Sequence, residues 1–307
     1  MLEVLTAIAP LFLIIFASAL LKKFKSIGEH WSTVFNDYAL KIGLPALIFS
    51  ALAGTPFSFT ENMPLIIANS LFITFVFVLG IFFGKAFGLS KKMLSTLSIC
   101  FAFGNIAYLG IPVLTKIEGD KILPTVSLIV AIYLFWIFTA VISFLELSIN
   151  NTKKYVIKNV LKGIVKNPLL LAVVLGLFVG AFGIPIPSVI LQSLGILSAS
   201  VTPLVLIVIG LFVGSSRIGK LSEWFPVLLF SLFTLMVLPM IFYFGVGIFG
   251  YTASDFKSSI IEAAMPLAIT PFALAEKYNL DKKFIAHSIV LSTILSVFSL
   301  PFWLSVI

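Results

Sequence analysis

The sequence has very little of the reactive chemistry found in soluble enzymes and metalloproteins. Its 307 residues include one cysteine, Cys100, and two histidines. One cysteine cannot form an internal disulfide or a cysteine metal cluster, and with two histidines it cannot complete a conventional metal site. The zinc-protease, serine-hydrolase and phosphate-loop motifs are also missing. We therefore predict that the protein is not an enzyme and has no cofactor, with a sodium ion as the one exception considered below.

Charge is scarce as well. Charged residues make up 10% of the chain and hydrophobic residues 60%, and the mean hydropathy is +1.19. This balance excludes an ordinary soluble domain. A run of about 20 apolar residues can cross a bilayer as a helix. The sequence therefore predicts an all-α polytopic membrane protein surrounded by the lipid bilayer, with ten spans near 3–21, 31–53, 63–87, 93–114, 122–147, 165–183, 189–214, 224–250, 258–277 and 282–305.

The net charge of +8 is compatible with nucleic-acid binding, but the basic residues are sorted by loop. Sixteen of the 20 lie in loops on one predicted side: Lys22, Lys23, Lys25, Lys85, Lys91, Lys92, Lys153, Lys154, Lys158, Lys162, Lys166, Arg217, Lys220, Lys277, Lys282 and Lys283. The other side has only Lys116, Lys121 and Lys257. By the positive-inside rule, we expect a bacterial or archaeal plasma-membrane protein with both termini outside and no nucleic-acid partner. A role of this charge in binding acidic lipid is the minor alternative.

The stretch 101–114 of the predicted fourth span contains residues that interrupt a helix. Gly104 and Gly110 remove side chains that would shield the backbone, and Pro112 lacks an N–H group. Asn105 and Tyr108 add polarity to the same stretch. Irregular backbone at membrane depth survives only where it lines a cavity or contacts protein. The break therefore predicts a binding site.

A second interrupted stretch, 262–274, lies in the predicted ninth span. It carries Pro266 and Pro271, with Glu262 and Met265 before the first proline and Thr270 before the second. Two broken spans at corresponding positions of two halves are typical of a transporter's binding site. The side chains and freed amides of both stretches are our candidate substrate site.

An internal repeat relates the two halves of the chain. A shift of 158 residues brings Pro10 onto Pro168 and Pro45 onto Pro203, and a shift of 159 brings Pro112 onto Pro271. We predict two five-helix repeats, 1–149 and 167–307, joined by a basic linker at 150–166. Since five is odd, the second repeat begins on the opposite side of the membrane and the repeats are inverted.

Asp37 and Lys41 are the two charged residues inside the predicted second span. Their i, i+4 spacing places both on one helix face, where each offsets the cost of burying the other. A self-contained ion pair or a snorkelling lysine explains them most simply. A charge role in substrate or proton binding is the alternative.

The two broken spans resemble those of the auxin efflux carrier family, which includes PIN-type auxin exporters and bacterial malonate-transporter-like proteins. Asn105 followed by Gly-Ile-Pro at 110–112 is similar to that family's first element, and Ala-Ala-Met-Pro at 263–266 followed by Pro-Phe at 271–272 is similar to its second. The resemblance covers the whole chain. It implies a scaffold of helices 1, 2, 6 and 7, through which a homodimer can form, and a transport domain of helices 3–5 and 8–10 with helices 4 and 9 crossing. It also implies that the substrates are organic anions.

A more distant similarity is to the bile acid:sodium symporters, in which an acidic residue before the ninth-helix break and an asparagine in the fourth helix take part in sodium sites. Glu262 and Asn105 match them in position. An unpaired carboxylate in an apolar site can take up a proton, pair with a lysine such as Lys41, or bind a cation. We favour sodium, held by Glu262, Asn105 and Met265, over a proton.

These features together predict a secondary active transporter. Its substrate is a small carboxylate, and it works by alternating access, coupled to a cation. A channel, or a transporter-like sensor without coupled transport, is the alternative.

Overall fold

The computed structural model describes residues 2–28, 30–149, 153–216 and 223–307. Arg217 and Lys220, counted in the charge pattern above, and the first residues of the linker, 150–152, lie outside the described residues. The α-helices in chain order are α1 (Leu2–Lys23), α2 (His30–Tyr38), α3 (Leu44–Ala53), α4 (Phe59–Ala86), α5 (Lys91–Ala102), α6 (Ile111–Glu118), α7 (Leu123–Trp136), α8 (Ile142–Ile149), α9 (Lys153–Lys166), α10 (Pro168–Phe182), α11 (Ser188–Ala199), α12 (Val201–Ser215), α13 (Trp224–Leu232), α14 (Leu238–Ile248), α15 (Lys257–Ala263), α16 (Thr270–Leu274) and α17 (Lys282–Val306).

Helix accounts for 84% of the structure, and the described residues form no strand beyond one isolated bridge. The all-α prediction is therefore confirmed. Six helices in the described part of the chain are long and apolar enough to cross a membrane, and α9 with α10 forms a bent pair that passes the same test. The remaining predicted spans are interrupted or shorter, so the count of ten and the inverted repeat stay predictions.

Several of the interruptions are π-helical turns placed just before a proline. Ala39–Gly43 precedes Pro45, Ile106–Gly110 precedes Pro112, and Phe233–Val237 precedes Pro239. A proline has no N–H to donate and its ring crowds the preceding turn, so a widened turn accommodates it without ending the helix. The predicted second and eighth spans therefore continue through their prolines as helices.

Three pairs of glycines, each four residues apart, bring helix backbones close together. Side-chain atoms added at Gly80 and Gly84 would collide with α5, at Gly176 and Gly180 with α3, and at Gly210 and Gly214 with α1. Small residues at this spacing allow apolar helices to pack at short distance in a membrane. Helix α1 therefore packs along α12, and α3 packs along α10. The domain boundaries and the scaffold composition stay predictions.

Candidate functional site

The two broken stretches meet and are joined by backbone hydrogen bonds. Gly104 and Leu267 form an antiparallel bridge. The Asn105 amide donates to the Pro266 carbonyl at 2.7 Å, and the Ala268 amide donates to the Phe103 carbonyl at 2.9 Å. Each break thus satisfies backbone groups of the other, which is how irregular backbone is stabilised away from water. We call residues 103–110 and 262–270 the crossing.

Glu262 lies in the crossing with its side chain against the π-helical turn of 106–110. The residue is only 1% exposed, and neither carboxylate oxygen has a hydrogen-bond partner among the described residues. A methyl group at Gly110 would lie 2.6 Å from the carboxylate carbon and overlap both oxygens. Glycine at this position is therefore what leaves room for the carboxylate.

Asn105 supplies hydrogen-bond donors on the other side of the same turn. Its carbonyl accepts from the amides of Leu109 and Gly110 at 3.0 and 3.1 Å, while its buried side-chain nitrogen has no acceptor among the described residues. The helical segment that continues into α6 begins at Ile106, so the amides of its first turn point back toward Asn105. Unpaired donors at the positive end of a helix favour an anion.

A small cavity lies beside Glu262, where α5 and α15 end. Its volume is about 20 Å³. The side chains of Cys100, Tyr133 and Glu262 line it, together with residues of both helix ends. A cavity of this size holds about one water molecule or small ion. The Tyr133 hydroxyl is buried and has no partner among the described residues. Helix C-terminal ends present carbonyl oxygens and negative dipole ends, so this side of the crossing suits a cation.

Helix α17 supports the crossing with a row of hydroxyl groups that we did not predict. Ser288, Ser292 and Ser296 are fully buried at intervals of four residues. The Ser292 hydroxyl accepts a hydrogen bond from the Leu267 amide at 3.1 Å, and the Ser288 hydroxyl has no partner among the described residues. The signal in the sequence was the i, i+4, i+8 spacing of serines in an otherwise apolar span.

Tyr108 is directed away from Glu262. Its hydroxyl donates to the Asn36 side-chain oxygen at 2.8 Å, which ties the crossing to α2. Asp37 and Lys41 pair with each other at 2.7 Å, with side chains 50% and 64% exposed. The pair therefore fits the simpler reading given above, and Lys41 is bonded to Asp37 while Glu262 has no partner among the described residues.

The structure brings some predicted site residues together and separates others. Glu262, Asn105 and Gly110 share one contact region, and Met265 is buried with its amide bonded to the Glu262 carbonyl at 3.2 Å. Thr270 is exposed at the start of α16. The remaining candidates differ in role: Gly104 forms the bridge, Pro266 accepts the Asn105 amide, and Pro112 and Pro271 are buried in the first turns of α6 and α16.

The set of unpaired amides is smaller than predicted. The amides of Leu267 and Ala268 donate to Ser292 and Phe103, and the Gly110 amide donates to Asn105. The Asn105 side-chain nitrogen remains as a buried donor without a partner in the described structure. The arrangement can thus hold an anion at the helix N-terminal end near Asn105 and a cation near Glu262.

Comparison with known proteins gives one family and two similar relatives. Residues 3–304 match the family described as membrane transport protein. The chain is 27% identical over 290 residues to an uncharacterized transporter of Methanocaldococcus jannaschii, covering 92% of each chain. It is also 27% identical over 289 residues to an uncharacterized transporter of Methanothermobacter thermautotrophicus, again covering 92% of each.

Proposed function

Because this chain belongs to the membrane transport protein family, the family of the auxin efflux carriers, we propose that it is a secondary active transporter for a small organic carboxylate. The family and the apolar helices make it a multi-pass membrane protein of the transporter class. The substrate class, the coupling and the location in the plasma membrane with both termini outside are our proposals.

One observation carries the proposal: two broken helices cross, and polar groups without partners lie at their crossing. The unpaired Asn105 side-chain nitrogen, at the N-terminal end of a helical turn, suits a carboxylate, and the buried oxygens of Glu262 suit a cation. An anion and a cation placed next to each other reduce the cost of desolvating both. This mutual stabilisation is a physical basis for moving the two together.

Sodium is the cation that we favour. Oxygen atoms are available to it at one cavity, where the unpaired Glu262 carboxylate and Tyr133 hydroxyl both lie. The proposal adds the Asn105 side-chain oxygen and a backbone carbonyl near Met265 as further ligands. These are the ligand types that small hard cations prefer. The unpaired Glu262 carboxylate is the observation that fits a bound cation, since a buried charge requires a counter-charge.

A proton is the second candidate, and a specific observation supports it. No donor among the described residues contacts either Glu262 oxygen. A carboxyl group in such surroundings is least costly when neutral. In this version, protonated Glu262 supplies a hydrogen-bond donor to its neighbours, and sodium has no effect on substrate binding.

The proposed movement divides the chain into the scaffold and transport domain named above. The close glycine contacts of α1 with α12 and of α3 with α10 suit a rigid scaffold. The bond between Asn36 and Tyr108 lies between the two proposed parts. A homodimer through the scaffold is part of the proposal, supported by α11, in which no residue is buried.

Asn105→Ala tests the anion site. We expect the variant to fold normally but to lose roughly 10- to 150-fold in carboxylate affinity, since a hydrogen bond to a charged group is worth about 1.5–3 kcal/mol. Isothermal titration with the best ligand from a screen of mono- and dicarboxylates measures it. Unchanged affinity would place the substrate elsewhere.

Accumulation in proteoliposomes separates a carrier from a channel or sensor. A coupled carrier concentrates its carboxylate against a gradient when a sodium or proton gradient is imposed, and its rate saturates. A channel can only equilibrate the solute, and a sensor does not move it. Passive, non-saturable flux would therefore contradict the proposed function.

A further inference from the structure

Helix α9 is bent away from the direction of the apolar helix α10 that follows it. The angle between its described part, Ile157–Lys166, and α10 is 64°. The bend is built into the sequence, because Pro168 starts α10 and the Asn167 side chain caps it, accepting from the amides of Leu169 and Leu170 at 2.9 and 3.2 Å. With α10 along the membrane normal, a helix at this angle runs closer to the plane of the membrane than to its normal.

One face of α9 is fixed against the rest of the protein. The Asn159 side chain donates to the buried carboxylate of Glu146 at 2.9 Å. Gly163 packs next to the ring of Phe138, where a methyl group would contact a ring carbon at 3.4 Å. Residues 159, 160, 163 and 164 are all partly buried on this side. The rotation of the helix about its own axis is therefore set by these contacts.

The opposite face carries two parallel rows of exposed side chains. One row is apolar: Ile157, Leu161 and Val165 are 60%, 56% and 64% exposed. The other is basic, with exposed Lys158, Lys162 and Lys166 at the same spacing of four residues. The helix sequence contains no acidic residue. An apolar row beside a lysine row is typical of a helix that lies in the interface of an anionic membrane.

We propose that the exposed face of α9 binds the anionic phospholipids of the membrane leaflet on its own side. The apolar row enters the boundary between headgroups and acyl chains, and the lysine row contacts headgroup phosphates. The lysines alone would follow from membrane topology, but topology does not explain three apolar side chains held outward beside them. The bend between α9 and α10 and the Asn159 contact supply the orientation that this binding requires.

The bilayer, rather than a soluble partner, is the occupant that the geometry supports. Helix α9 is joined directly to a helix of the membrane-spanning part, so its exposed face is held near the headgroup region wherever the protein is inserted. Each lysine in that position increases partitioning onto an anionic membrane surface roughly five-fold, equivalent to about 1 kcal/mol. The proposal does not depend on what the crossing transports.

The test places a nitroxide at Leu161→Cys in a Cys100→Ser background and measures its collisions with oxygen and with a water-soluble nickel complex. The full-length protein is held in nanodiscs of phosphatidylcholine alone or mixed with phosphatidylglycerol. We expect the oxygen-to-nickel collision ratio to be several-fold higher in the anionic bilayer. High salt should reduce the difference, because it screens the lysines.

The matched comparison uses two triple variants that remove the same charge. Replacing Lys158, Lys162 and Lys166 by glutamine should abolish the response to phosphatidylglycerol, and replacing the exposed Lys85, Lys91 and Lys92 should preserve it. A second reporter at Val165→Cys should give the same pattern, which protects the result against a local effect of one label.

Three results would overturn the proposal. A nitroxide that collides freely with the nickel complex in both bilayers would show that the face is in water. A nitroxide shielded from both reagents would show that protein, such as a second copy of the chain, covers it. A response to phosphatidylglycerol that survives loss of the α9 lysines would also contradict the assignment.

Discussion

At the scale of single residues, the main finding is a group of buried polar atoms that lack partners in the described structure. Glu262, Tyr133 and the Asn105 side-chain nitrogen are all in this state within or beside the crossing. A buried polar group without a hydrogen bond costs about 1–3 kcal/mol, and a charged group costs more. Several such groups in one place are therefore best explained by ligands that complete them.

Gly110→Ala is a direct test of the space reserved for Glu262. The added methyl group would overlap the carboxylate, so we expect the substitution to displace it and to abolish cation-dependent substrate binding. Overpacking of this kind costs about 1–3 kcal/mol of stability. Thermal unfolding in detergent and ligand titration measure the two effects separately.

Gly104→Ala is the matched control for Gly110→Ala. The nearest atom to a methyl group at Gly104 is 3.6 Å away, which is an ordinary contact. We expect wild-type stability in this control and recovery of stability when Gly110→Ala is combined with Glu262→Ala. No recovery in the double variant would show that Gly110 matters for another reason.

Tyr133→Phe asks whether the unpaired hydroxyl has a role in binding. If it only packs in the core, its removal should leave stability unchanged or raise it, and binding should not change. We expect stability to be unchanged or raised, but substrate or sodium affinity to fall roughly three- to ten-fold. This loss corresponds to one hydrogen bond of about 0.5–1.5 kcal/mol. Unchanged affinity would remove Tyr133 from the site.

At the scale of secondary-structure elements, the crossing depends on bonds between segments that are far apart in the sequence. Ser292 on α17 accepts from the Leu267 amide, whereas Ser288 one turn earlier has no partner in the described structure. We expect Ser292→Ala to destabilise the protein by about 1–3 kcal/mol, because it leaves a buried N–H unsatisfied. Ser288→Ala should have little effect. Equal melting temperatures for the two variants would contradict this role.

The sequence predicted the positions of both breaks because their cause is local. Proline and glycine act on the turn that contains them, so Pro112 and Pro266 can be recognised without knowing the fold. The pairing of Gly104 with Leu267 depends on how distant helices pack, and no local pattern specifies it. Tyr133 and Ser292 were missed for the same reason, since an apolar span with a few hydroxyl groups is compatible with several rotations of the helix.

Some helix boundaries differ from the predicted ones because a capping side chain fixes the first residue of a helix, whereas hydropathy locates a helix only to within a few residues. The predicted sixth span began at residue 165, but α10 begins at Pro168, where the Asn167 side chain caps it. The apolar row of α9 falls mostly in the predicted linker, 150–166, and Val165 falls also in the predicted sixth span, 165–183. Its exposed face became visible only when the bend of 64° and the Asn159 contact were known.

At the scale of the whole molecule, the packing of close helix pairs has a reciprocal form. Helix α1 packs against α12 through Gly210 and Gly214, and α10 packs against α3 through Gly176 and Gly180. This pattern is expected if the first helix of each repeat packs against the second helix of the other repeat. The repeat itself stays a prediction. In the alternating access that we propose, the glycine contacts persist while the Asn36–Tyr108 bond breaks and re-forms.

The measurement that tests the central claim most directly is substrate binding by wild type and Glu262→Gln across sodium concentration at two pH values. Glutamine keeps the size of the side chain but removes its charge, so folding should be preserved. We predict that affinity rises with sodium in the wild type and loses this dependence in the variant. Affinity that follows pH and ignores sodium would replace the sodium site by a proton site. If Glu262→Gln leaves both dependences unchanged, the glutamate is structural and the account of coupling is wrong.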